Sequence, residues 1–393
     1  VIFVLEMKKR RYDIVVFGAT GFTGGLVAEY LNLSKDIENK NWAIAGRSLG
    51  KLKVVKDKLI SKNGDASQID ILVADATDIN DLKKITAQTQ CIITTVGPFV
   101  NYGEPLVAAC IDTSTDYLDI TGEPAFVQNI LQKYGKAAKE SGSLIINCCG
   151  FDSIPADAGA FFTAQQLPVD ESKVIKGYVR SNGTFSGGTW ASAIGAFADI
   201  SKGKASTKSE SNDKSAKKLP TLHRVSETNK WALPMPVIDP WMVKRTAKAR
   251  PEIFGETSYA QYLALNNVIE IAGLTATVGG IMLAAQIPFT KNLLLNYRKS
   301  GEGPSEEKRS KSFFSVVFVG ESRSKKVVCK VSGGDPGYTE TSKMIAESAL
   351  TLIKNRSSLA IQSGVTTPAA ALGEFLIPKL QSVGIKFEVI KKD

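Results

Sequence analysis

One histidine in 393 residues leaves little room for a Ser-His-Asp hydrolase or a histidine-rich metal site. That residue, His223, stands among Lys, Ser, Thr and Pro and is expected as a solvated loop residue. The five cysteines, Cys91, Cys110, Cys148, Cys149 and Cys329, form no CxxC pair, and four of them lie in apolar stretches. They read as small hydrophobes in a reducing compartment, not as a disulfide framework or a zinc site, so no metal is expected. The apolar run at 1–5 is too short for a signal peptide, and a strand pattern from Tyr12 leaves no room for a transit peptide. Met7 is the expected start, with residues 1–6 as additional sequence.

What is present is ordinary globular composition, 43% apolar and 22% charged, in a chain long enough for two or three domains. The formal charge of +10 admits a nucleic-acid binder, a membrane-surface protein or an enzyme for anionic ligands. Its placement narrows these. Residues 201–250 hold 12 Lys and Arg against 4 Asp and Glu, which is +8 of the total, and the rest of the chain is near neutral.

From Tyr12 onward, apolar runs of strand length alternate with amphipathic stretches of helical length. Strands are expected at 13–17, 42–45, 69–74, 91–96, 117–120 and 143–149, with helices following from Phe22, Leu49, Asp78, Glu104 and Pro124. This alternation predicts an α/β fold, a Rossmann-type doubly wound parallel sheet over 1–151. A helix at 155–166 leads into strand-like runs at 173–180, 313–320 and 326–331, which predict a second α+β domain on an antiparallel sheet over 152–366. Residues 367–393 read as a C-terminal helix and strand that return to the first domain. The Lys/Ser/Thr-rich stretch 201–218 and the charged stretch 299–312 read as solvated loops.

The strongest chemical signal is Tyr12-Asp-Ile-Val-Val-Phe-Gly-Ala-Thr-Gly-Phe-Thr-Gly24, in which a buried strand runs into Gly18, Gly21 and Gly24 at the mouth of a helix. Glycines there let backbone approach a pyrophosphate, and the helix start with its dipole favours the negative charge. Gly18, Thr20, Gly21, Phe22, Thr23 and Gly24 are therefore the expected cofactor turn. Strand two ends in Ala45-Gly-Arg-Ser48, with no carboxylate to hold a ribose 2′-hydroxyl. Arg47 and Ser48 favour NADP(H) over NAD(H), the alternative being that Arg47 caps a helix or lies in solvent. Asp75 ends strand three, where it either faces the adenosine half or caps the next helix; Gly97 and Pro98 end strand four, on the nicotinamide side.

Together, Val16-Phe-Gly-Ala-Thr-Gly-Phe-Thr-Gly24, Ala45-Gly-Arg-Ser48, Val96-Gly-Pro-Phe99, Tyr102-Gly-Glu-Pro105, Asp119-Ile-Thr-Gly-Glu-Pro124 and Gly150-Phe-Asp-Ser-Ile-Pro-Ala-Asp157 resemble the saccharopine dehydrogenase-like oxidoreductases. Gly188-Thr-Trp-Ala-Ser-Ala193, Gly334-Asp-Pro-Gly-Tyr338 and Gly364-Val-Thr-Thr-Pro-Ala-Ala370 extend the resemblance over nearly the whole chain. The same family includes mycobacterial trans-acting enoyl reductases. The resemblance implies oxidoreductase activity and association with lipid droplets or other membranes, without supplying a substrate.

Hydride transfer to a polarised C=C, C=O or C=N bond commonly needs a proton donor beside the cofactor. The strand ends on that side offer Tyr102, Asp119, Glu123 and Asp152, of which Tyr102 and Asp152 are the catalytic candidates. Against this, Asp152 suits a helix cap and Tyr102 suits packing on Phe99. No Tyr-x-x-x-Lys pair follows a suitable strand, so that reductase relay is not expected.

Residues 231–250 mix Trp, Met and Pro with cations, types suited to a membrane interface, and 271–290 contains no ionisable residue. Residues 231–298 are thus the expected contact with a membrane or lipid-droplet surface, from the cytosolic side, with mitochondrial association as an alternative. Strands before and after 271–290 in one sheet would place both its flanks on one side, which favours a re-entrant or interfacial segment over a bitopic span. The alternative is a helix buried at a homodimer or domain contact. A nucleic-acid partner is not expected, because no reading helix, zinc module or aromatic RNA-binding sheet accompanies the basic stretch. The expected substrate is lipid-like or small; a non-catalytic NADP-binding scaffold is the other functional class.

Overall fold

A computed structural model describes residues 10–36, 41–62, 68–183, 221–296 and 303–393. The low-complexity stretch 201–218, the segment before Met7 and the Gly188–Ala193 motif lie outside them.

Residues 12–146 build the expected nucleotide domain. Six strands, β1 (Tyr12–Phe17), β2 (Trp42–Gly46), β3 (Asp70–Val73), β4 (Thr89–Thr94), β5 (Asp116–Asp119) and β6 (Leu144–Ile146), alternate with α1 (Phe22–Leu33), α2 (Leu49–Lys62), α3 (Ile79–Thr86), α4 (Phe99–Asp112) and α5 (Pro124–Ser141). All strands pair in parallel in the order 3-2-1-4-5-6, which places the reversal of winding between β1 and β4. Because both faces are covered, alternate residues of one strand enter two cores. Ile14 and Val16 pack with α1 and α2, while Val15 and Phe17 pack on the α3–α5 side.

The chain then continues through α6 (Ile154–Ala164) into a second seven-stranded sheet. Its strands are β7 (Lys173–Ser181), β8 (His223–Val225), β9 (Lys230–Pro234), β10 (Thr257–Leu265), β11 (Phe314–Glu321), β12 (Lys326–Gly333) and β14 (Lys386–Lys392). The expectation of an antiparallel sheet is corrected in one place: β7 and β10 pair in parallel, so the sheet is mixed. Between β9 and β10 lie α7 (Asp239–Ala249) and the single turn α8 (Pro251–Phe254); between β10 and β11 lie α9 (Val268–Gln286), α10 (Pro288–Asn296) and α11 (Glu306–Ser310).

The C-terminal part crosses between the sheets twice. α12 (Thr341–Asn355) covers the nucleotide sheet beside α1, and β13 (Gly364–Thr366) adds a seventh parallel strand next to β6. α13 (Pro368–Ser382) packs on α12 and α6, and β14 then closes the second sheet beside β12. The return to the first domain is therefore made by β13, within the stretch grouped with the second domain from sequence, and the final strand belongs to the second sheet. One core runs through both domains: Ile14 and Leu118 share a cluster with Phe318, Val331 and Leu372.

Two further expectations change. His223 is half-buried in β8, not in a solvated loop; its ring lies edge-on to Tyr262 at 4.8 Å, and burial lowers its pKa. Within 231–250, α7 turns inward: Met242 and Val243 are fully buried, and Arg250 pairs with Glu374 of α13. Met242 lies in the core and Trp241 packs half-buried against it. Of the cations in that helix, Arg245 is held by the fold, its Nη2 donating to the Val365 carbonyl at 3.1 Å, while Lys244 and Lys248 are exposed.

Candidate functional site

Parallel strands put the carboxyl ends of β1 to β6 on one edge, and the glycine turn stands there at the winding reversal. Gly18 has φ +92°, a conformation that an L side chain resists, and its N–H bonds the Ala45 carbonyl at 2.9 Å. A Cβ at Gly24 would lie 2.1 Å from the Gly18 carbonyl oxygen and 2.7 Å from Thr95 Oγ1, so only glycine lets α1 approach β1 and β4 this closely. Gly21 caps α1 with no side chain to engage the helix amides, and the first turn bond is Gly25 N–H to the Gly21 carbonyl at 2.9 Å. The amides ahead of it are thus presented to an anion, a fit to a dinucleotide pyrophosphate.

Within this turn Thr20 and Thr23 are half-buried. Phe22 points toward the second domain: it meets Tyr338 edge-on at 5.1 Å and carries the Arg309 guanidinium over its ring at 5.5 Å. Arg309 is in turn fixed by the Pro304 carbonyl at 2.9 Å and Thr339 Oγ1 at 3.2 Å. The Phe22 side chain therefore anchors the second domain to the cofactor turn.

Arg47 is exposed at the end of β2, and its positive charge helps to hold the nearby Asp75 carboxylate below its usual pKa range. The larger cause is that Asp75 accepts from Thr77 N–H at 2.9 Å and Thr77 Oγ1 at 2.7 Å. The helix-cap alternative for Asp75 is excluded, since Asp78 caps α3 by accepting from Asn80 and Asp81 amides. Ser48 begins the turn into α2, where its carbonyl accepts from Leu52 N–H at 3.0 Å.

At the end of β4, Gly97 is exposed and Pro98 precedes α4. The Glu123 carboxylate accepts from Phe99 N–H at 3.0 Å and Val100 N–H at 2.8 Å, which makes it the cap of α4 across the β5 loop. Asp119, also a strand-end acid, is fully buried and accepts from Tyr117 Oη, Thr121 N–H, Asn147 Nδ2 and Cys148 N–H. Burial outweighs these donors and raises its pKa to about 6. Both acids have structural work that sequence reasoning did not see.

Asp152 is different. It follows β6 and its Oδ2 lies against Gly122, where an added Cβ would be 3.0 Å away, so it shares the β5 and β6 strand ends. It remains open to solvent while protein walls it in on its other sides, and this desolvation raises its pKa. It caps nothing: the cap of α6 is Ser153, which makes no side-chain cap bond. Tyr102 is 39% exposed on the first turn of α4, and Phe99 packs on Phe126 instead, with ring centroids 5.8 Å apart.

Sequence reasoning missed Asp239. The first residue of α7 is 4% exposed and receives Gln261 Nε2 on Oδ2 at 2.5 Å, while Gln261 Oε1 accepts from Tyr259 Oη at 2.7 Å. Burial first, then the charge of Asp152, raises its pKa. One open and one buried carboxyl thus repel each other beside the nicotinamide-side strand ends. Behind them Asp157, also buried, is raised to about 7 by desolvation. Among the described residues no group of His, Cys, Asp and Glu could hold a metal ion.

The glycine turn at the winding reversal, on a parallel sheet joined to a second mixed sheet, defines a two-domain dinucleotide-binding architecture. Residues 14–146 match the family model of the saccharopine dehydrogenase NADP binding domain. The chain belongs to the saccharopine dehydrogenase-like oxidoreductase family: it is 32% identical to the Bos taurus protein of that name, over 98% of this chain and 99% of that one. It is 31% identical to a trans-acting enoyl reductase of Mycobacterium tuberculosis, over 97% and 98% of the two chains. It is 32% identical to a lipid droplet localized protein of Caenorhabditis elegans, over 96% and 98%. The solved Saccharomyces cerevisiae saccharopine dehydrogenase (L-Glu forming) shares the fold, with TM-score 0.55 at 12% identity over 97% of this chain and 100% of that one.

Proposed function

We propose that this oxidoreductase uses NADPH to reduce a carbonyl, enoyl or imine group of a lipid-like or small substrate at the cytosolic face of a membrane or lipid droplet. The observation that carries the chemistry is Asp152, an open carboxyl beside the β5 and β6 ends whose surroundings favour the protonated form. NADPH, when bound, supplies a hydride. Asp152 then gives its proton to the atom where negative charge develops, and the resulting carboxylate is reprotonated from solvent. Burial keeps the proton on Asp152, with the buried Asp239 carboxyl beside it, and Tyr102 on α4 orients the substrate's polar end. Arg47 supports NADPH by receiving the 2′-phosphate, the name of one relative supports a lipid-droplet setting, and that of another supports an enoyl substrate.

The test is NADPH oxidation by the purified full-length chain against a panel of enoyl, keto and imino lipids and small analogues. Asp152→Asn is expected to lower kcat by about a hundredfold with NADPH affinity unchanged. Normal turnover in both Asp152→Asn and Tyr102→Phe would sink the proton-donor assignment. NADPH binding without oxidation across the panel would favour a non-catalytic scaffold.

A further inference from the structure

Between β10 and β11 the chain leaves the second sheet and comes back to it. Among the described residues, α9 is the one helix long and apolar enough to cross a membrane, and of its residues only Ala285 is buried. Ile269 is 79% exposed and Leu283 73%, and beyond the break Phe289 is 78% exposed. Apolar residues occupy the whole circumference of α9, whereas docking on a protein partner or lying flat on a headgroup layer needs only one apolar side. Its polar atoms turn inward: Thr275 and Thr277 hydroxyls and the Gln286 amide donate to carbonyls four residues back.

The sheet fixes the topology. β10 and β11 both flank β7, with Leu263 opposite Val179 and Phe314 opposite Ser181, so the excursion starts and ends on one edge. At this foot stand the cations Arg180, stacked over the half-exposed Phe313 at 6.0 Å, and Lys230, bonded to Asn266. Hydrogen bonds from Asn266 and, after them, these two cations lower the pKa of Glu270 at the helix start. Cations beside aromatic rings at the base of an apolar hairpin match a layer of anionic headgroups.

We infer that α9 and α10 form a hairpin inserted from one side into the phospholipid monolayer of a lipid droplet. This rests on the lipid-side placement proposed above and adds the residues and the mode. With 19 residues at about 1.5 Å each, α9 is about 28 Å long, nearly twice the roughly 15 Å of hydrocarbon in one bilayer leaflet. The 9-residue α10, about 13 Å, is too short to retrace it. Under a droplet monolayer the apolar phase continues, so no second headgroup layer meets the far end. Lys291, in the first turn of α10 near the far end, is the one charge among residues 271–296 and opposes insertion.

The experiment is flotation of the full-length protein with triolein droplets coated by phosphatidylcholine and phosphatidylserine, beside vesicles of the same lipids. Preferential recovery with droplets is expected, with at least about a tenfold loss in Ala276→Lys/Leu283→Lys and a gain in Lys291→Leu. Both substituted sites are exposed in the fold, and retained NADPH binding verifies that the variant is intact. Because all five native cysteines are buried, single cysteines at Ala276 and Ser305 report topology by labelling: lipid should protect the first, and outside reagent should reach the second. Labelling of Ser305→Cys only from inside vesicles would show a span and overturn the hairpin. So would unchanged flotation of the double-Lys variant, or a soluble dimer that the same change dissociates. Failure of the wild-type chain to float with either lipid would instead remove the lipid-side reading itself, leaving NADPH oxidation as a separate question.

Discussion

Gln261 donates its amide to Asp239 at 2.5 Å, across from β10 to the first residue of α7. That bond spends one carboxyl oxygen of Asp239 and keeps the group in place beside Asp152. Burial raises both carboxyls, and the charge of Asp152 raises Asp239 further, so both hold protons to higher pH than a free aspartate. If Asp152 must be protonated to act, activity falls as pH rises through the pair's upper titration. Asp239→Asn removes the neighbouring carboxyl, so the alkaline limb of kcat should move to lower pH. A pH–kcat profile measures this, and an unmoved limb would separate Asp239 from the proton donor.

Asp157 ties α6 to α7 and α13, since its Oδ2 accepts from Ala369 N–H at 2.8 Å and its Oδ1 from Thr246. Burial lifts its folded pKa to about 7, above the ordinary value of 3.8. The sign follows from linkage: a raised folded pKa means that the folded state binds the extra proton. Its stabilisation is full below the unfolded pKa and is lost as pH rises through the folded one. Asp119, raised to about 6, acts in the same sense. Thermal denaturation should therefore show Tm falling from about pH 4 to about pH 7. Asp157→Asn, which keeps the shape and mimics the protonated form, should flatten that decline; an equally steep slope in the variant would refute the assignment.

Much of the nucleotide domain was legible because its strands are short apolar runs, most of them followed closely by a glycine, and separated by stretches of helical length. Partners were not. β13 has three residues, Gly364-Val-Thr366, too few for a strand pattern, and only its pairing with β6 makes it part of that sheet. β7 and β10 pair in parallel because of the path between them, which no local pattern encodes. The acids behaved likewise. Asp119, Glu123 and Asp152 all end strands, yet the structure gives two of them to backbone amides and leaves one open. Asp239 enters from 87 positions beyond Asp152 with no motif around it. Trp241 and Met242 share a composition with interfacial segments, and only the contact of α7 with α6 shows that they face inward.

Arg356 and Asp116 form a second long-range tie, with Nε 2.7 Å from the carboxylate and both side chains mostly buried. Arg356 also donates to the Gly142 carbonyl at 2.8 Å, so it clamps the C-terminal part onto the start of β5 and the end of α5. Arg356→Ala would leave the buried Asp116 without its cation. A loss of about 3 kcal/mol in unfolding free energy is expected from urea titration. NADPH affinity should stay near wild type, because the contact lies at the opposite edge of the sheet from the glycine turn.

Gly24 tests the cradle from inside. An added Cβ would sit 2.1 Å from the Gly18 carbonyl oxygen, a backbone atom that cannot swing aside. Gly24→Ala must push α1 away from β1, which moves the helix-start amides off the pyrophosphate position. NADPH affinity measured by fluorescence titration is expected to fall by at least about tenfold, together with about 1–3 kcal/mol of stability from overpacking. Gly25→Ala is the control: its added carbon would be 3.6 Å from the Ala19 carbonyl oxygen, an ordinary contact, and affinity should change little. Equal behaviour of the two variants would show that the turn does not set cofactor binding.

If Arg47 receives the 2′-phosphate as proposed, it sets the choice between NADPH and NADH. It is exposed at the end of β2 and no carboxylate in Ala45-Gly-Arg-Ser48 opposes a 2′-phosphate, while Asp75 lies close enough to feel its charge. Arg47→Ala should weaken NADPH binding by about tenfold and leave NADH unchanged, the share of one charge-assisted contact. Arg47→Asp should go further, because the new carboxylate repels the 2′-phosphate and can accept from a ribose 2′-hydroxyl; the preference should then turn toward NADH. High salt should narrow the wild-type preference, since the contact is exposed and screened. Parallel titrations with the two cofactors measure the ratio directly. If Arg47→Asp kept its NADPH preference, the discrimination would have to come from elsewhere in the cleft.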